Sequence, residues 1–185
     1  MTVTTLDPNT ALVVIDLQKG VVGFPTVHPV GDVLAAATIL IAAFRRRHLP
    51  VVLVNAAGVA PGRTEQSRSL AGLPADWADL VPELDVQPDD LLITKKTWGA
   101  FTNTDLEARL KALGVTQVVL AGVATSFGVE STARHAHELG FNITLALDAM
   151  TDRSQEAHDN SVTRIFPRLG ETGTVREIVE LLERA

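Results

Sequence analysis

Residues 116–134 read TQVVLAGVATSFGVESTAR. An apolar run, Val118-Val119-Leu120-Ala121, leads into Gly122-Val123-Ala124-Thr125-Ser126. The segment from Phe127 to Ala133 then reads as the start of a helix. A buried strand that feeds a tight turn and a helix N-terminus presents backbone donors at the carboxyl edge of a parallel sheet. The tip residue is Gly128, which has no side chain. Chemistry at this tip therefore depends on backbone groups and on side chains from elsewhere.

The rest of the chain repeats the alternation. Strands are expected at Thr10–Asp16, Pro50–Ala56, Leu91–Thr94 and Asn142–Leu147, with a short edge strand or turn within 170–174. Helices are expected over Gly31–His48, Thr104–Leu113 with Thr104 as cap, Ser154 or Gln155 to Leu169, and Thr174–Arg184. Residues 1–9 read as a loose leader, Asp148–Arg153 as a loop, and 57–80 as a long irregular connection of the kind that is functional or mobile. Arg45-Arg46-Arg47 reads as a solvated, dipole-matched helix end. This order implies right-handed crossovers and a parallel sheet covered on both faces, an α/β fold in one domain spanning 1–185.

Composition narrows the function. The 185 residues are 46% hydrophobic and 21% charged, with a net charge of −6. That balance disfavours nucleic acid or an anionic membrane as partner. The longest apolar run, Val33 to Phe44, is well short of the ~20 residues of a membrane helix. The start, MTVTTLDPNT, lacks signal-peptide features, so a cytoplasmic location is expected. With no cysteine there is no disulfide, thiolate ligand or cysteine nucleophile.

Three groups fall at strand ends: Asp16, Lys95 and the Ala124–Gly128 turn. Ligands of such sheets bind outside the carboxyl ends of the strands. Burial raises an aspartate's pKa and a nearby lysine lowers it, which poises the pair for proton transfer. The lysine also attracts an anionic substrate. Taken singly, Asp16 reads as a turn acid and Lys95 as a solvated lysine beside Lys96. Their shared position favours the site.

The segments Val14-Ile15-Asp16-Leu17-Gln18, Thr94-Lys95-Lys96-Thr97-Trp98-Gly99-Ala100-Phe101 and Gly122-Val123-Ala124-Thr125-Ser126 with Val129-Glu130-Ser131-Thr132-Ala133-Arg134 resemble the isochorismatase-like hydrolase superfamily. The resemblance runs in order over nearly the whole chain. It implies a Rossmann-like three-layer α/β/α sandwich around a six-stranded parallel sheet. It also implies a cis peptide at Val123–Ala124 and catalytic roles for Asp16 and Lys95. The family's nucleophilic cysteine falls on Gly128, so a thiolate mechanism is excluded. The resemblance then points to the vinyl-ether hydrolases, in which an aspartate protonates the vinyl carbon and water attacks the cation, releasing pyruvate from isochorismate. Glycine is expected to leave room for the substrate ring.

Substrate contact is expected from Ala124, Thr125, Phe127 and Gly128 of the turn. A carboxylate clamp is expected from Arg63, a hydrogen bond from Asn55, and pocket walls from Phe24, Trp98 and Phe101. For the aromatic residues core packing is the commoner role, and for Arg63 a plain surface position is at least as common. The region Asn55-Ala56-Ala57-Gly58 lacks the acid and histidine of the metal-binding branch, and no metal or cofactor is expected. Family members usually form homodimers or homotetramers. Two other readings stand beside the vinyl-ether one: water directed by Asp16 and Lys95 onto another small ester, amide or ether, and a binding protein without turnover.

Overall fold

Thr10–Ile15 forms strand β1, and all six of its residues are buried. A strand buried on both faces belongs in the middle of a parallel sheet, where no position alternates to solvent. In the computed structural model, which describes residues 3–66 and 70–184, β1 lies between β2 (Val51–Ala56) and β4 (Gln117–Val123), parallel to both. The sheet is completed by β3 (Leu91–Lys95), β5 (Asn142–Thr151) and β6 (Glu171–Gly173). Its order is β3-β2-β1-β4-β5-β6, with every pairing parallel. The chain winds outward from β1 to β3, then returns to the other side of β1. That reversal puts the crevice of the fold at the carboxyl ends of β1 and β4.

Side-chain alternation splits the core into two layers. Leu12, Val14, Leu53, Val119 and Ala121 face α2 (Val30–Arg46) and α6 (Val175–Arg184), meeting Val33, Ala37, Leu40, Phe44, Ile178 and Leu182. Ala11, Val13, Ile15, Val118 and Leu120 face α3 (Leu106–Ala112) and α4 (Glu130–Glu138), meeting Leu106, Leu110, Ala133 and Ala136. The remaining helices are α1 (Lys19–Val22) and α5 (Gln155–Asn160). The α/β three-layer reading of the sequence is thus met. Among the described residues no helix is long and apolar enough to cross a membrane.

Several local expectations are corrected. The leader is tied down: the Val3 amide donates to Thr172 O at 2.8 Å, and Val3 and Leu6 are buried. β5 continues through the expected loop to Thr151. It leaves register with β4 after Leu145 and rejoins it at Met150, so a bulge absorbs the polar Asp148. The Asp148 carboxylate accepts the Val175 amide at 2.7 Å, at the N-terminus of α6. The expected 154–169 helix breaks into α5, a π-turn at Ser161–Ile165 and a 3-10 turn at Phe166–Arg168, where Pro167 has no amide to donate. The N-cap position of α3 is Asp105, one residue after the expected Thr104. The Thr104 hydroxyl donates to Ala100 O at 2.5 Å and accepts the Leu106 amide at 3.4 Å. Arg45 is not a solvated end, since its guanidinium forks onto the buried Asp90 carboxylate and also bonds Leu84 O and Asp85 O. This pair ties the end of α2 to the approach of β3.

Candidate active site

Asp16 follows the last residue of β1 with φ +52, a left-handed conformation that turns its side chain off the strand. Its amide still bonds Val54 O at 2.9 Å, so the turn stays attached to the sheet. Lys95 ends β3, two strands away, and its ammonium reaches across β2 to Asp16 Oδ2 at 2.7 Å. Lys95 is 2% exposed and Asp16 7%, whereas Lys96 is exposed. The second carboxylate oxygen of Asp16, Oδ1, is buried without a hydrogen-bond partner.

Burial pushes the Asp16 carboxyl up from 3.8 to about 6, and the charge and hydrogen bond of Lys95 hold it from rising further. Such a carboxyl exchanges its proton near neutral pH. With Oδ2 committed to the lysine, Oδ1 is the oxygen free to carry that proton.

The third element is the turn after β4. Thr125–Val129 forms a π-turn that runs directly into α4, after a cis peptide between Val123 and Ala124. Gly122, with φ +115, passes so close to Ile15 that a Cβ would lie 2.0 Å from the Ile15 carbonyl oxygen. Gly128 sits against Asp16 itself. A Cβ there would lie 3.3 Å from Asp16 Oδ2 and 2.8 Å from Ile15 Cγ2. Acid, amine and glycine, remote in sequence, thus meet at one point. The expected vacancy beside Gly128 is not present, because the Ile15 methyl fills it. Gly128 is a close-approach position. Gly128→Ala is therefore expected to lower stability by about 1–2 kcal/mol in urea unfolding, since overpacking outweighs alanine's better helix propensity.

The other expected site residues divide. Phe24 and Trp98 are about half exposed, with Trp98 edge-on to Phe127 at 4.8 Å and the Arg153 guanidinium 5.1 Å over the Phe24 ring. Phe101 is core, packed against His135 and Phe141 on the α4 side of the sheet. The Asn55 amide is engaged within the protein: Nδ2 donates to Ala78 O, and Oδ1 accepts from the Thr94 hydroxyl. Arg63 is exposed in the 57–66 stretch, and among the described residues no hydrogen bond or ion pair brings it to the Asp16–Lys95 pair. Of the turn's expected backbone donors, the Phe127 and Val129 amides are taken by Ala124 O and the Ser126 amide by Asp152. A cleft of about 380 Å³ opens at the outer end of β3, lined by Val59, Pro61, Thr94, Lys96 and Asn103. Neither Asp16 nor Lys95 contributes to its wall. Among the described residues no group of three or more His, Asp or Glu could hold a metal ion.

The chain has counterparts among known proteins. The Isochorismatase domain model matches residues 10–177, which include all three elements of the site. The chain belongs to the isochorismatase family. It is a hydrolase of that family, and one without cysteine. It is 42% identical over 179 residues to the uncharacterized isochorismatase family protein YwoC of Bacillus subtilis, covering 93% of each chain. It is 32% identical over 187 residues to the phenazine biosynthesis protein PhzD1 of Pseudomonas aeruginosa, covering 95% of this chain and 88% of that one. Among solved structures, an isochorismatase family protein from Burkholderia thailandensis superposes with a TM-score of 0.92 at 42% identity, covering 97% of this chain and 98% of that one.

Sequence reading missed a second polar cluster behind the turn of this family member. Asp152, 1% exposed, accepts the Ser126 amide and hydroxyl on Oδ2 and the Arg153 and Ser154 amides on Oδ1. The Thr125 hydroxyl lies 2.9 Å from Nδ1 of His158, which in turn meets His28 edge-on at 4.8 Å. The one signal available was an Asp-x-Ser step at the end of an apolar run, a pattern that also marks any helix entrance.

Proposed function

We propose that the chain hydrolyses a small anionic vinyl ether, with isochorismate as the nominal substrate, using Asp16 as general acid and forming no covalent intermediate. The observation that carries this reading is the asymmetry of the Asp16 carboxyl: Oδ2 is held by Lys95 and Oδ1 is buried and unpartnered. A proton on Oδ1 is thereby poised for donation to the terminal vinyl carbon of the enolpyruvyl group. Protonation leaves a cation on the ether carbon. Water adds there, and the hemiketal collapses to pyruvate and the dihydroxy-dihydrobenzoate, with the proton lost by water replacing the one given by Asp16. Burial keeps the proton on the acid to about neutral pH, while the buried ammonium of Lys95 holds that rise in check, steadies the carboxylate left after donation and draws in the substrate carboxylates.

Gly128 stands where the resemblance puts the nucleophilic cysteine. The absence of a side chain there lets the turn backbone close on Asp16, and that contact contributes to the dryness of the carboxyl. The substrate ring is assigned to the rim of Phe24, Trp98 and Phe127. Arg153, stacked on Phe24, takes the role first expected of Arg63, since a planar guanidinium suits bidentate carboxylate binding. Arg153→Met is expected to raise KM at least roughly tenfold with kcat nearly kept, the mark of binding lost equally in ground and transition states. Arg63→Met serves as the control. The test of the reaction is pyruvate release from isochorismate, read by a coupled lactate dehydrogenase assay. Stoichiometric pyruvate supports it, and its absence with a folded, saturating enzyme rejects it.

A further inference from the structure

The turn that touches Asp16 is itself held from behind, and the group that holds it belongs to α5. Thr125, the first residue of the turn, is fully buried, and its hydroxyl has one described partner, Nδ1 of His158. Ser126, the next residue, is fixed by Asp152 through both amide and hydroxyl at 2.7 Å. Both clamps therefore come from the Asp152–His158 segment. Asp152 and the preceding Thr151, the last residue of β5, also hold the 24–28 loop: the Val27 amide bonds Asp152 O at 2.8 Å, and the His28 amide bonds the Thr151 hydroxyl at 3.1 Å. The turn and the 24–28 loop are thus joined through residues 151–158.

We propose that His158 is a positioning residue, which through the Thr125 hydroxyl presses the Gly128 turn onto Asp16 and keeps water from that carboxyl. The inference rests on the general-acid reading above. A buried hydroxyl hydrogen-bonded to a buried imidazole fixes the position of both groups, because leaving either one unpaired is costly. Burial and the neighbouring His28 both favour the neutral ring, against the opposite pull of Asp159 and Asp152. The ring is thus available as a fixed dipole rather than as an ion. Three covalent bonds separate its Nδ1 from the α5 backbone, and the asparagine amide reaches the same place through the same number of bonds. Asparagine therefore restores the hydrogen bond, and leucine fills the volume without it.

The test compares His158→Leu, His158→Asn and Thr125→Val in the full-length protein, each checked for wild-type circular dichroism. Two readouts are taken: the titration midpoint of the Asp16 carboxyl by carbon-13 NMR, and kcat and KM for pyruvate release from isochorismate. In His158→Leu and Thr125→Val the midpoint is expected to fall by at least about one pH unit, because water reaches the carboxyl. Their kcat is expected to drop at least roughly tenfold with KM within about twofold, as for a misplaced catalytic group. His158→Asn is expected to keep both near wild type. Thr125→Val removes the same bond without altering α5, so it decides the matter if His158→Leu does not fold. A wild-type midpoint in Thr125→Val overturns the proposal, as does an equal fall in His158→Asn and His158→Leu. If wild-type enzyme releases no pyruvate, the proposed reaction fails by itself, and the Asp16 midpoint still decides the role of His158.

Discussion

Asp16→Asn is expected to reduce pyruvate release by a factor on the order of 10²–10⁴, the usual contribution of a positioned general acid. The amide has nearly the shape of the carboxyl, so it fills the same pocket and still offers an oxygen to Lys95. It carries no transferable proton at Oδ1. The loss is expected in kcat and in kcat/KM alike, since the missing interaction exists only in the transition state. The variant also reports on stability. The rise of the Asp16 carboxyl from 3.8 to about 6 means that its charged form is disfavoured in the folded chain. By linkage, this group favours folding most at pH below about 4 and loses that contribution as pH rises through about 6. The difference amounts to roughly 3 kcal/mol. Wild type is therefore expected to lose stability relative to Asp16→Asn across that window, as measured by urea unfolding at pH 4 and pH 7. A constant difference between the two proteins argues against a desolvated carboxyl.

Lys95→Met has the second large effect, and it acts through the first residue. Methionine matches the length of the lysine stem and packs in the same channel. The substitution leaves Asp16 buried without its cation, and breaking a buried pair from one side costs about 3–5 kcal/mol when the remaining charge is kept. Asp16 can escape that cost by holding its proton, so its midpoint is expected to rise above 6 and part of the penalty to vanish at acid pH. Turnover is expected to fall by about 10² or more even where Asp16 is protonated, because the positive charge proposed to receive the substrate is gone. Substrate-saturation kinetics and a thermal melt at two pH values check both halves. A Lys95→Met enzyme with wild-type kcat assigns the lysine to structure alone.

The fold was legible because its signals are local and repeated. TALVVI, VVLV and QVVLAGV are runs too apolar and too short for anything but buried strands, and amphipathic helices fall between them. Strand ends then placed Asp16 and Lys95 on one edge without knowledge of a single contact. Legibility failed where meaning depends on which way one side chain points. Phe101 follows Lys95 closely, yet its ring turns to the α4 face. Asn55 stands at a strand end on the same edge, yet its amide spans to Ala78 and Thr94. Gly128 read as an absence that leaves room, whereas the structure uses it as a surface against which Ile15 and Asp16 pack. His158 was invisible for another reason: its partner Thr125 is 33 residues away, and a lone histidine on a short helix carries no pattern.

The sign of the pH dependence tests the general-acid claim most directly. If Asp16 donates a proton, kcat/KM for pyruvate release is carried by the protonated enzyme. It is then flat below about 6 and falls about tenfold for each pH unit above that value. The measurement is kcat/KM between pH 5 and pH 8 in wild type. A profile that falls through about 6, and is absent in Asp16→Asn, is the predicted result. A profile that rises through the same midpoint makes the ionised carboxylate the active form, and Asp16 would then direct water as a base instead of giving up a proton.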